Sequence, residues 1–444
     1  MSEDRAARPP SPPQHFRLNL EQQKKRAKDL LRAVKAGDPE ALARVAAHRE
    51  NPGAPQIREA LMTTTRLADA QFTIARELRL PSWGQLKAHI ESLDHQRDAI
   101  DRNQPAPDAD MKTLHLRCGH DIMNTLQEAG FVGDFLPHTN PYCQGPVTNA
   151  PDYHEKRARF VLDAFSRWFP ERNMTVEGLI DGFRRDDEDV LNAVDRYERV
   201  VLWAEHDSYD QMMLIRVLAL YASARRPRVF ELLELNDFPG SSRFIGVGQL
   251  PPEALRLLWP TRQPVTPEQL TFGTRAWDAL RLADPRPFST IAAMKTAPLP
   301  HLPRAAHRHL QELPSIENGL SLTEHLVLQA LSEVQSRSLN QIFYLLSAYR
   351  EPLPFMGDAG LAYVIRDMES AAELPFVRSW QQPDEREFRN VLTITDAGRE
   401  VLAGRRDWHS LNPPARWVGG VHIEPGKPGW RWNEAKREPV MAGA

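Results

Sequence analysis

Cysteine is nearly absent from this sequence, since only Cys118 and Cys143 occur among 444 residues. Two thiols are too few for a disulfide framework or for a zinc site made of four cysteines, and such sparing use suits a reducing compartment. Long apolar runs are also lacking: no stretch approaches the roughly 18 residues of a membrane span, and the N-terminal MSEDRAARPPSPPQ has no apolar signal core. We therefore expect a cytoplasmic protein without membrane association.

An excess of either charge is missing as well. The 56 basic and 59 acidic residues leave a formal net charge of −3, so the whole chain exerts no general attraction on nucleic acid or anionic lipid. Its 41% hydrophobic and 26% charged residues are typical of a folded, water-soluble chain. At this length we expect about two to four domains.

The signatures of common enzyme classes are absent too. The sequence contains no HExxH, GxSxG or GxxxxGK[ST] motif, and no GxGxxG follows the first predicted strand. The GVGQL stretch offers only a two-glycine turn. The hydrolase, kinase and dinucleotide-binding classes that these motifs mark are therefore not indicated.

Residues 16–98 have helical periodicity and follow a proline-rich segment, residues 1–15, that we predict to be a disordered tail. Asp38 and Ser82 stand directly before helical runs and are predicted to cap them. The AGDPEALARV turn and the helix after Ser82 resemble the ankyrin-like N-terminal caps of many bacterial proteins. Such a module serves as a helical packing cap or offers a surface to a protein partner.

A linker rich in proline and aspartate, residues 100–110, precedes a segment with a different pattern. Between residues 111 and 260, helical stretches alternate with short apolar runs, and the runs predicted as strands are TLHLRC, DFLP, ERVVLW and RVFELLEL. This alternation predicts a parallel sheet covered by helices on both faces, as in a Rossmann-like α/β domain. Residues 261–310 are predicted to be a helical connector.

Residues 311–444 predict a winged-helix-like domain, because three helical runs precede two short strands and a final helix. The WVGGVHIEPGKPGWRW tail predicts a β-hairpin. In the third helix, DAGLAYVIRDMES, three acids accompany Arg366 alone, and Arg386 and Arg389 follow in the wing. Charge therefore does not indicate nucleic-acid binding, and a packing or interaction role is the alternative. The patterns together predict a multi-domain α/β protein.

Polar residues cluster directly after the predicted strands. Ligands of parallel α/β sheets bind beyond the carboxyl ends of the strands, because loops and helix N-termini converge there. The residues that we predict to bind a ligand by this rule are Gly119, His120, Asp121, His138, Asn140, Gln144, Gly145, Asp207 and Gln211. Glu205, His206 and Asp210 are candidates for catalysis, either as acid/base groups or, with Asp207, as ligands of a divalent metal.

Each of these residues also has a purely structural alternative. Asp121 and Asp207 stand where helix N-caps belong, and Asp210 could complete a capping box. The histidines could be surface residues or hydrogen-bonded ones. Cys118 or Cys143 could act as a nucleophile, although a cytosolic cysteine is more often a small buried residue.

The stretches LHLRCGHD, NPYCQGPV, VVLWAEHDSYDQ and IGVGQLPPEAL resemble the bacterial domain-of-unknown-function family 1835 over about residues 112–260, and the following segment resembles its usual companion domain. Carried onto this chain, the motif positions of the family are Gly119, Asp121, Gly145, Pro146, Trp203, Glu205, His206, Asp207, Asp210 and Gln211. Asn140 stands where relatives often have aspartate, which would weaken a metal ligand or base there. The family has no established activity, so the resemblance implies an architecture and leaves the function open.

These observations lead to one preferred hypothesis and two alternatives. The preferred hypothesis is a regulatory or interaction protein that binds a small polar or phosphorylated molecule. The first alternative is an enzyme that uses metal-assisted or acid/base chemistry at the strand ends, and the second is a winged-helix transcription regulator. The sequence indicates no particular cofactor or metal.

Overall fold

The computed structural model describes residues 16–48, 58–240, 243–379 and 390–443. The predicted tail, residues 1–15, and the wing residues Arg386 and Arg389 lie outside the described residues. The described part of the chain is a mixed α/β structure that contains a sheet with parallel strands, in agreement with the predicted fold class.

The chain divides into two compact units, and neither is continuous in sequence. The first unit combines the described residues up to Asp110 with Asp121–Val132 and Leu235–Thr261. The second combines Met111–His120, Gly133–Glu234 and the chain from Arg262 onward. Two stretches of the predicted central domain thus belong to the first unit, and the finer division into fold families stays a prediction.

The first unit is helical. Its helices are α1 (Leu20–Lys35), α2 (Pro39–Ala47), α3 (Arg58–Thr64), α4 (Leu67–Glu77), α5 (Trp83–Asp101), α6 (Met123–Glu128) and α10 (Pro252–Leu258). Asp38 and Ser82 cap α2 and α5 as predicted, because each side-chain oxygen accepts a bond from a first-turn amide, at 2.8 and 3.2 Å. The apolar faces of α1, α4 and α5 meet in one core that includes Leu30, Ile74 and Leu86.

The second unit is built on a five-stranded sheet of order β2-β1-β4-β5-β6. Its strands are β1 (Thr113–Arg117), β2 (Asp134–Pro137), β4 (Arg199–Glu205), β5 (Val229–Leu235) and β6 (Gln263–Pro264). β1 pairs in parallel with both β2 and β4, whereas β6 pairs antiparallel with β5. The sheet is therefore mixed, whereas the sequence predicted a wholly parallel one. β6 was missed because two residues are too few to leave a strand pattern in the sequence.

Helices of the second unit include α7 (Tyr153–Phe165), α8 (Val176–Arg196), α9 (Ser208–Ala222), α11 (Pro267–Leu280), α12 (Arg286–Ala292) and α13 (Leu302–Leu310). α9 is apolar on nearly all sides and is buried, as expected for a central helix. α11 packs so closely on α9 that a Cβ at Gly273 would lie 2.7 Å from Leu218 Cβ. The segment 261–310, predicted as a connector, therefore supplies core, with Trp277 and Phe288 each 2% exposed.

The C-terminal part of the second unit contains the predicted succession of helices and strands. Its elements are α14 (Leu322–Ser332), β7 (Arg337–Ser338), α15 (Leu339–Leu345), α16 (Asp358–Met368), β8 (Phe376–Ser379), β9 (Val391–Ile394) and α17 (Asp396–Leu402). β9 lies between β7 and β8 and is antiparallel to both. These elements enclose a core of their own around Trp408.

The single hairpin predicted for the C-terminal tail is wrong. The tail contains β10 (Arg416–Gly419), β11 (Val421–Ile423), β12 (Gly429–Asn433) and β13 (Glu438–Ala442). β10 pairs with β11 and with β3 (Gly145–Pro146), while β12 pairs with β13. Gly419, at φ +56°, turns the chain directly after β10, and a Cβ at Gly420 would lie 2.3 Å from the Arg281 carbonyl oxygen. The glycine pair thus permits a tight turn that the sequence pattern did not reveal.

Candidate functional site

The carboxyl ends of β1 and β4 meet at one edge of the sheet. The two strands run in parallel, and Arg117 at the end of β1 pairs in register with Trp203 of β4. Glu205 ends β4, and α9 begins shortly afterwards at Ser208. This edge therefore gathers polar side chains from both strands and from the first turn of α9, at the place where ligands of α/β sheets bind.

Arg117 holds the acidic residues at this edge together. Its guanidinium donates to the carboxylates of Glu205 and Asp210, and all three side chains are at most 4% exposed. Asp210 also accepts from the Glu205 amide at 2.8 Å and from the Cys118 thiol, with 2.7 Å between Sγ and Oδ2. Asp210 thus does not complete a capping box with Asp207, because its oxygens bind across the edge.

Asp207 caps α9, as its structural interpretation predicts: it accepts from the amides of Tyr209 and Asp210 at 2.7 and 3.1 Å. Carboxylate oxygens of Glu205, Asp207 and Asp210 lie within 4.8 Å of one another. Burial, and then repulsion from Asp210 and Glu205, raises the pKa of Asp207 well above its usual value. The three carboxylates carry more negative charge than Arg117 neutralises. A proton on Asp207 or a bound cation would reduce the repulsion between them.

Gln211 connects this edge to β5. Its Nε2 donates to the Glu205 carbonyl oxygen at 2.6 Å and to Glu234 Oε1 at 3.2 Å, and burial raises the pKa of Glu234 to about 7. Neither Arg117 nor Glu234 was among the predicted site residues. A charged residue inside an otherwise apolar strand was the signal that could have found them, because such a residue needs a buried partner.

His206, the predicted acid/base residue, is 7% exposed beside this edge. Its ring meets the ring of His301 edge-on, with 6.5 Å between the centroids. Burial, and then the nearby Arg304, lowers the pKa of His301, so this neighbouring ring is neutral near pH 7. The described ion pairs that join the carboxylates of Glu205 and Asp210 run through Arg117.

The predicted ligand residues after β1 have varied surroundings. Gly119 has φ +85°, and an added Cβ would meet no atom within 4 Å. His120 is exposed. Asp121 does not cap α6, whose N-cap position is Ile122 without a side-chain bond; within the first unit its carboxylate instead approaches Gly248. The capping interpretation of Asp121 is therefore wrong.

The loop after β2 turns its predicted ligand residues to different neighbours. His138 is 1% exposed, and its ring lies 5.6 Å from that of Tyr142. Asn140 Oδ1 accepts from Arg157 Nε at 2.8 Å, so this amide holds a buried guanidinium. Asn140 is accordingly part of a structural contact in this chain.

Gln144 and Gly145 lie on the wall of a cavity of about 610 Å³ in the second unit. Gln144 Nε2 also donates to the Gly360 carbonyl oxygen of α16 at 3.4 Å. Gly145 has φ +72°, and a Cβ there would collide with the Phe160 ring at 2.4 Å. The remaining wall comes from α7, α16 and β10 and includes the side chains of Phe160, Met356, Tyr363, Val364, Trp417 and His422.

Most charged groups on this wall already have partners. Arg416 lies 3.5 Å from Glu324, and Lys156 Nζ lies 3.0 Å from Asp152. Asp367 lines the cavity and has no hydrogen-bond or ion-pair partner among the residues that the structure describes. Burial, and then repulsion from Glu324, raises the pKa of Asp367 to about 7. Asp367 was not among the predicted site residues, because nothing local distinguishes it from any acid on a helix.

Cys118 and Cys143 are expected to be unreactive in the native protein. Both are 4% exposed, and burial raises the pKa of each thiol, so the nucleophilic thiolate is scarce. Ellman's reagent at mildly alkaline pH should label neither thiol in the folded chain and both in concentrated guanidinium chloride. Rapid labelling of Cys118 without denaturant would contradict this expectation and favour a nucleophile.

None of the described helices combines the length and the apolar composition that a membrane crossing requires. No protein-family model matches the chain, and a search of curated proteins finds no relative of it.

Proposed function

We propose that this chain is a small-ligand-binding protein whose site is the cavity bounded by α7, α16 and β10. The cavity volume of about 610 Å³ falls within the range of roughly 300–1,000 Å³ that is typical of small-molecule sites. Its wall combines aromatic and apolar side chains with a few polar ones, and it includes Gln144 and Gly145, two of the predicted ligand residues. This composition favours an amphipathic ligand of small size.

The observation that carries the proposal is the unpaired carboxyl of Asp367 on that wall. Asp367 is half-buried, and the nearby Arg416 and Arg366 offset the repulsion from Glu324 only in part, since the pKa of Asp367 stays raised. A cationic group on the ligand would supply the carboxylate with a direct partner. The rings of Phe160, Tyr363 and Trp417 also line the cavity and supply its apolar surface. The ligand is therefore an amine or a similar cation joined to an apolar body.

The architecture proposed with this function is the one expected from the sequence. It consists of an ankyrin-like helical module, a Rossmann-like α/β domain related to family 1835, and a winged-helix-like domain, in a cytoplasmic regulatory or interaction protein. The parallel pairing of β1 with β2 and β4 supports the second element, and the order of α14 to α17 with β7 to β9 supports the third.

A transcription regulator is the less favoured alternative, because α16 is already occupied. Tyr363 of α16 meets Phe160 of α7 at 5.3 Å between ring centroids, and Arg366 donates to the Asp163 carbonyl oxygen at 2.8 Å. A helix that reads DNA presents its polar face to the major groove. The contacts of α16 therefore support a packing role.

An enzyme at the strand ends is the second candidate, because Glu205, Asp207 and Asp210 could together hold a divalent cation. Arg117 already pairs with two of the three carboxylates, which favours a structural ion network. A rise in Tm with manganese chloride that disappears in Asp207→Asn would favour the enzyme.

The cavity proposal predicts preferential binding of amines. Phenethylamine should raise the Tm of the protein more than its neutral analogue 2-phenylethanol, and phenyl phosphate should have no effect at this site. The effect should be larger at about pH 8 than at about pH 6, because a carboxyl with a pKa of about 7 is charged mainly above that pH. Asp367→Asn should weaken phenethylamine binding by about tenfold or more in calorimetric titration.

Asp358→Asn is the matched control, because Asp358 lies exposed on the same helix. It should leave phenethylamine affinity unchanged. Equal stabilisation by amine and alcohol, or an equal loss of affinity in both variants, would refute a cation site at Asp367.

A further inference from the structure

A second cluster in the same unit centres on Trp277 of α11. The ring of Tyr142 meets the indole edge-on at 5.1 Å, and the ring of His138 lies 5.6 Å from that of Tyr142. Trp277, Tyr142 and His138 are 2%, 4% and 1% exposed, respectively. None of the three lines the cavity that contains Asp367.

Three nitrogen atoms of this cluster are buried and lack a hydrogen-bond partner among the described residues: Nδ1 and Nε2 of His138 and Nε1 of Trp277. A buried N–H without an acceptor is unfavourable, so such groups are rarely left unsatisfied. Burial lowers the pKa of His138 to about 4, and its neutral ring therefore keeps one donor and one acceptor. The cluster thus holds at least two N–H groups that need an acceptor.

Two guanidiniums lie beside the same indole. The Cζ atoms of Arg216 and Arg281 are 5.1 and 5.8 Å from the Trp277 ring centroid. Arg216 forms an ion pair with Asp187, whereas the described hydrogen bond of Arg281 goes from its Nε to the Thr148 carbonyl oxygen at 3.1 Å. One carboxylate therefore faces two cations, and the cluster has excess positive charge.

The start of α7 experiences the same positive field. Burial lowers the pKa of His154. Arg184, Arg216 and Arg281 lower it further, and Asp187 opposes them in part. The buried Nδ1 of His154 also has no partner among the residues described. Arg216, Arg281 and His154 are each partly exposed, so this end of the cluster is the one nearest to solvent.

We propose that Trp277, Arg281 and Arg216, with His138 behind them, form a binding site for the anionic oxygen group of a small molecule. Phosphate and carboxylate oxygens accept hydrogen bonds from an indole N–H and from guanidinium donors, and they would offset the positive charge. A cation is not suited to this place, because two guanidiniums and the indole N–H face it and Asp187 is already paired. This site uses other residues than the amine cavity, so each proposal stands or falls alone.

The test is calorimetric titration of the full chain with inorganic phosphate and, separately, with acetate, at an ionic strength held constant with sodium chloride. Trp277→Phe removes the indole donor but keeps an aromatic ring, and Arg281→Gln removes one cation. Each change should weaken binding by about tenfold or more, the value of one hydrogen bond to a charged group. Arg275→Gln is the matched control, because Arg275 is an exposed arginine on the same helix, and it should bind as the wild type does.

Saturable phosphate binding that is lost in Trp277→Phe and Arg281→Gln but not in Arg275→Gln would support the site and assign it to phosphorylated ligands. The same pattern with acetate alone would support it and assign it to carboxylates. The proposal is overturned if neither anion binds more tightly than roughly 10 mM, or if all three variants bind equally.

Discussion

Arg117→Gln is expected to lower the free energy of unfolding by about 3–5 kcal/mol, measured by urea denaturation near pH 7. The guanidinium is the shared partner of Glu205 and Asp210, and both carboxylates are at most 4% exposed. Removing it leaves two buried negative charges close together without the guanidinium that they share. The difference in free energy of unfolding between the wild type and the variant should therefore shrink as the pH falls, because protonation of a carboxylate relieves the repulsion.

Arg225→Gln is the control for this variant. Arg225 pairs with Asp195, but both side chains are more than 60% exposed, so this ion pair contributes at most about 1 kcal/mol. Adding Glu205→Gln to Arg117→Gln should recover part of the lost stability by removing one unpaired charge. Equal effects of Arg117→Gln and Arg225→Gln would show that the buried network does not stabilise this edge.

Arg157→Met is expected to lower the free energy of unfolding by about 3 kcal/mol and to abolish most phenethylamine binding. Arg157 is fully buried, and its guanidinium donates to Asn140 Oδ1 at 2.8 Å, to the Pro141 carbonyl oxygen at 2.6 Å and to the Gln144 carbonyl oxygen. These bonds hold the loop that places Gly145 on the cavity wall. Methionine fills a similar space but leaves several acceptors unsatisfied, so both the loop and the site should lose order.

Arg159→Met tests whether this effect is specific. Arg159 lies on the same helix, and its exposed side chain pairs only with Glu155, at 2.7 Å. Its replacement should change stability by no more than about 0.5 kcal/mol, since it breaks an exposed i,i+4 pair. Because Arg159 also lines the cavity, Arg159→Met is the control for stability only. If Arg157→Met bound phenethylamine as tightly as the wild type does, the loop would not depend on the buried guanidinium.

Much of the local structure could be predicted because its causes are local. Asp38, Ser82 and Asp207 each precede a helix and cap it with a nearby amide, so a few adjacent residues were enough to place them. The largely apolar runs of β1 and β4 indicated buried parallel strands for the same reason.

The arrangement of the candidate sites could be predicted only in part. The strand pattern correctly placed Glu205 and Asp210 at one edge of the sheet. Arg117 was missed, because it lies 88 and 93 residues away from these partners in the sequence. Its importance arises from burial beside them, which no local pattern expresses. The same holds for Asp367, whose raised pKa depends on packing around the cavity.

The sequence by itself determined the helices, most strands, the caps and the set of polar residues that follow the strands, because hydrophobic period and capping act over a few neighbouring positions. Only the tertiary structure decided which of those polar residues meet. It placed Gln144 and Gly145 on the cavity wall and Asp207 and Asp210 at the strand ends, and it drew residues 261–310 into the core. Among the described residues, it left the Asp367 carboxyl and the Trp277 indole N–H without a hydrogen-bond partner. Burial and ion pairing involve residues that are far apart in the chain. The free energies of these interactions depend on the low-dielectric interior, which exists only after folding.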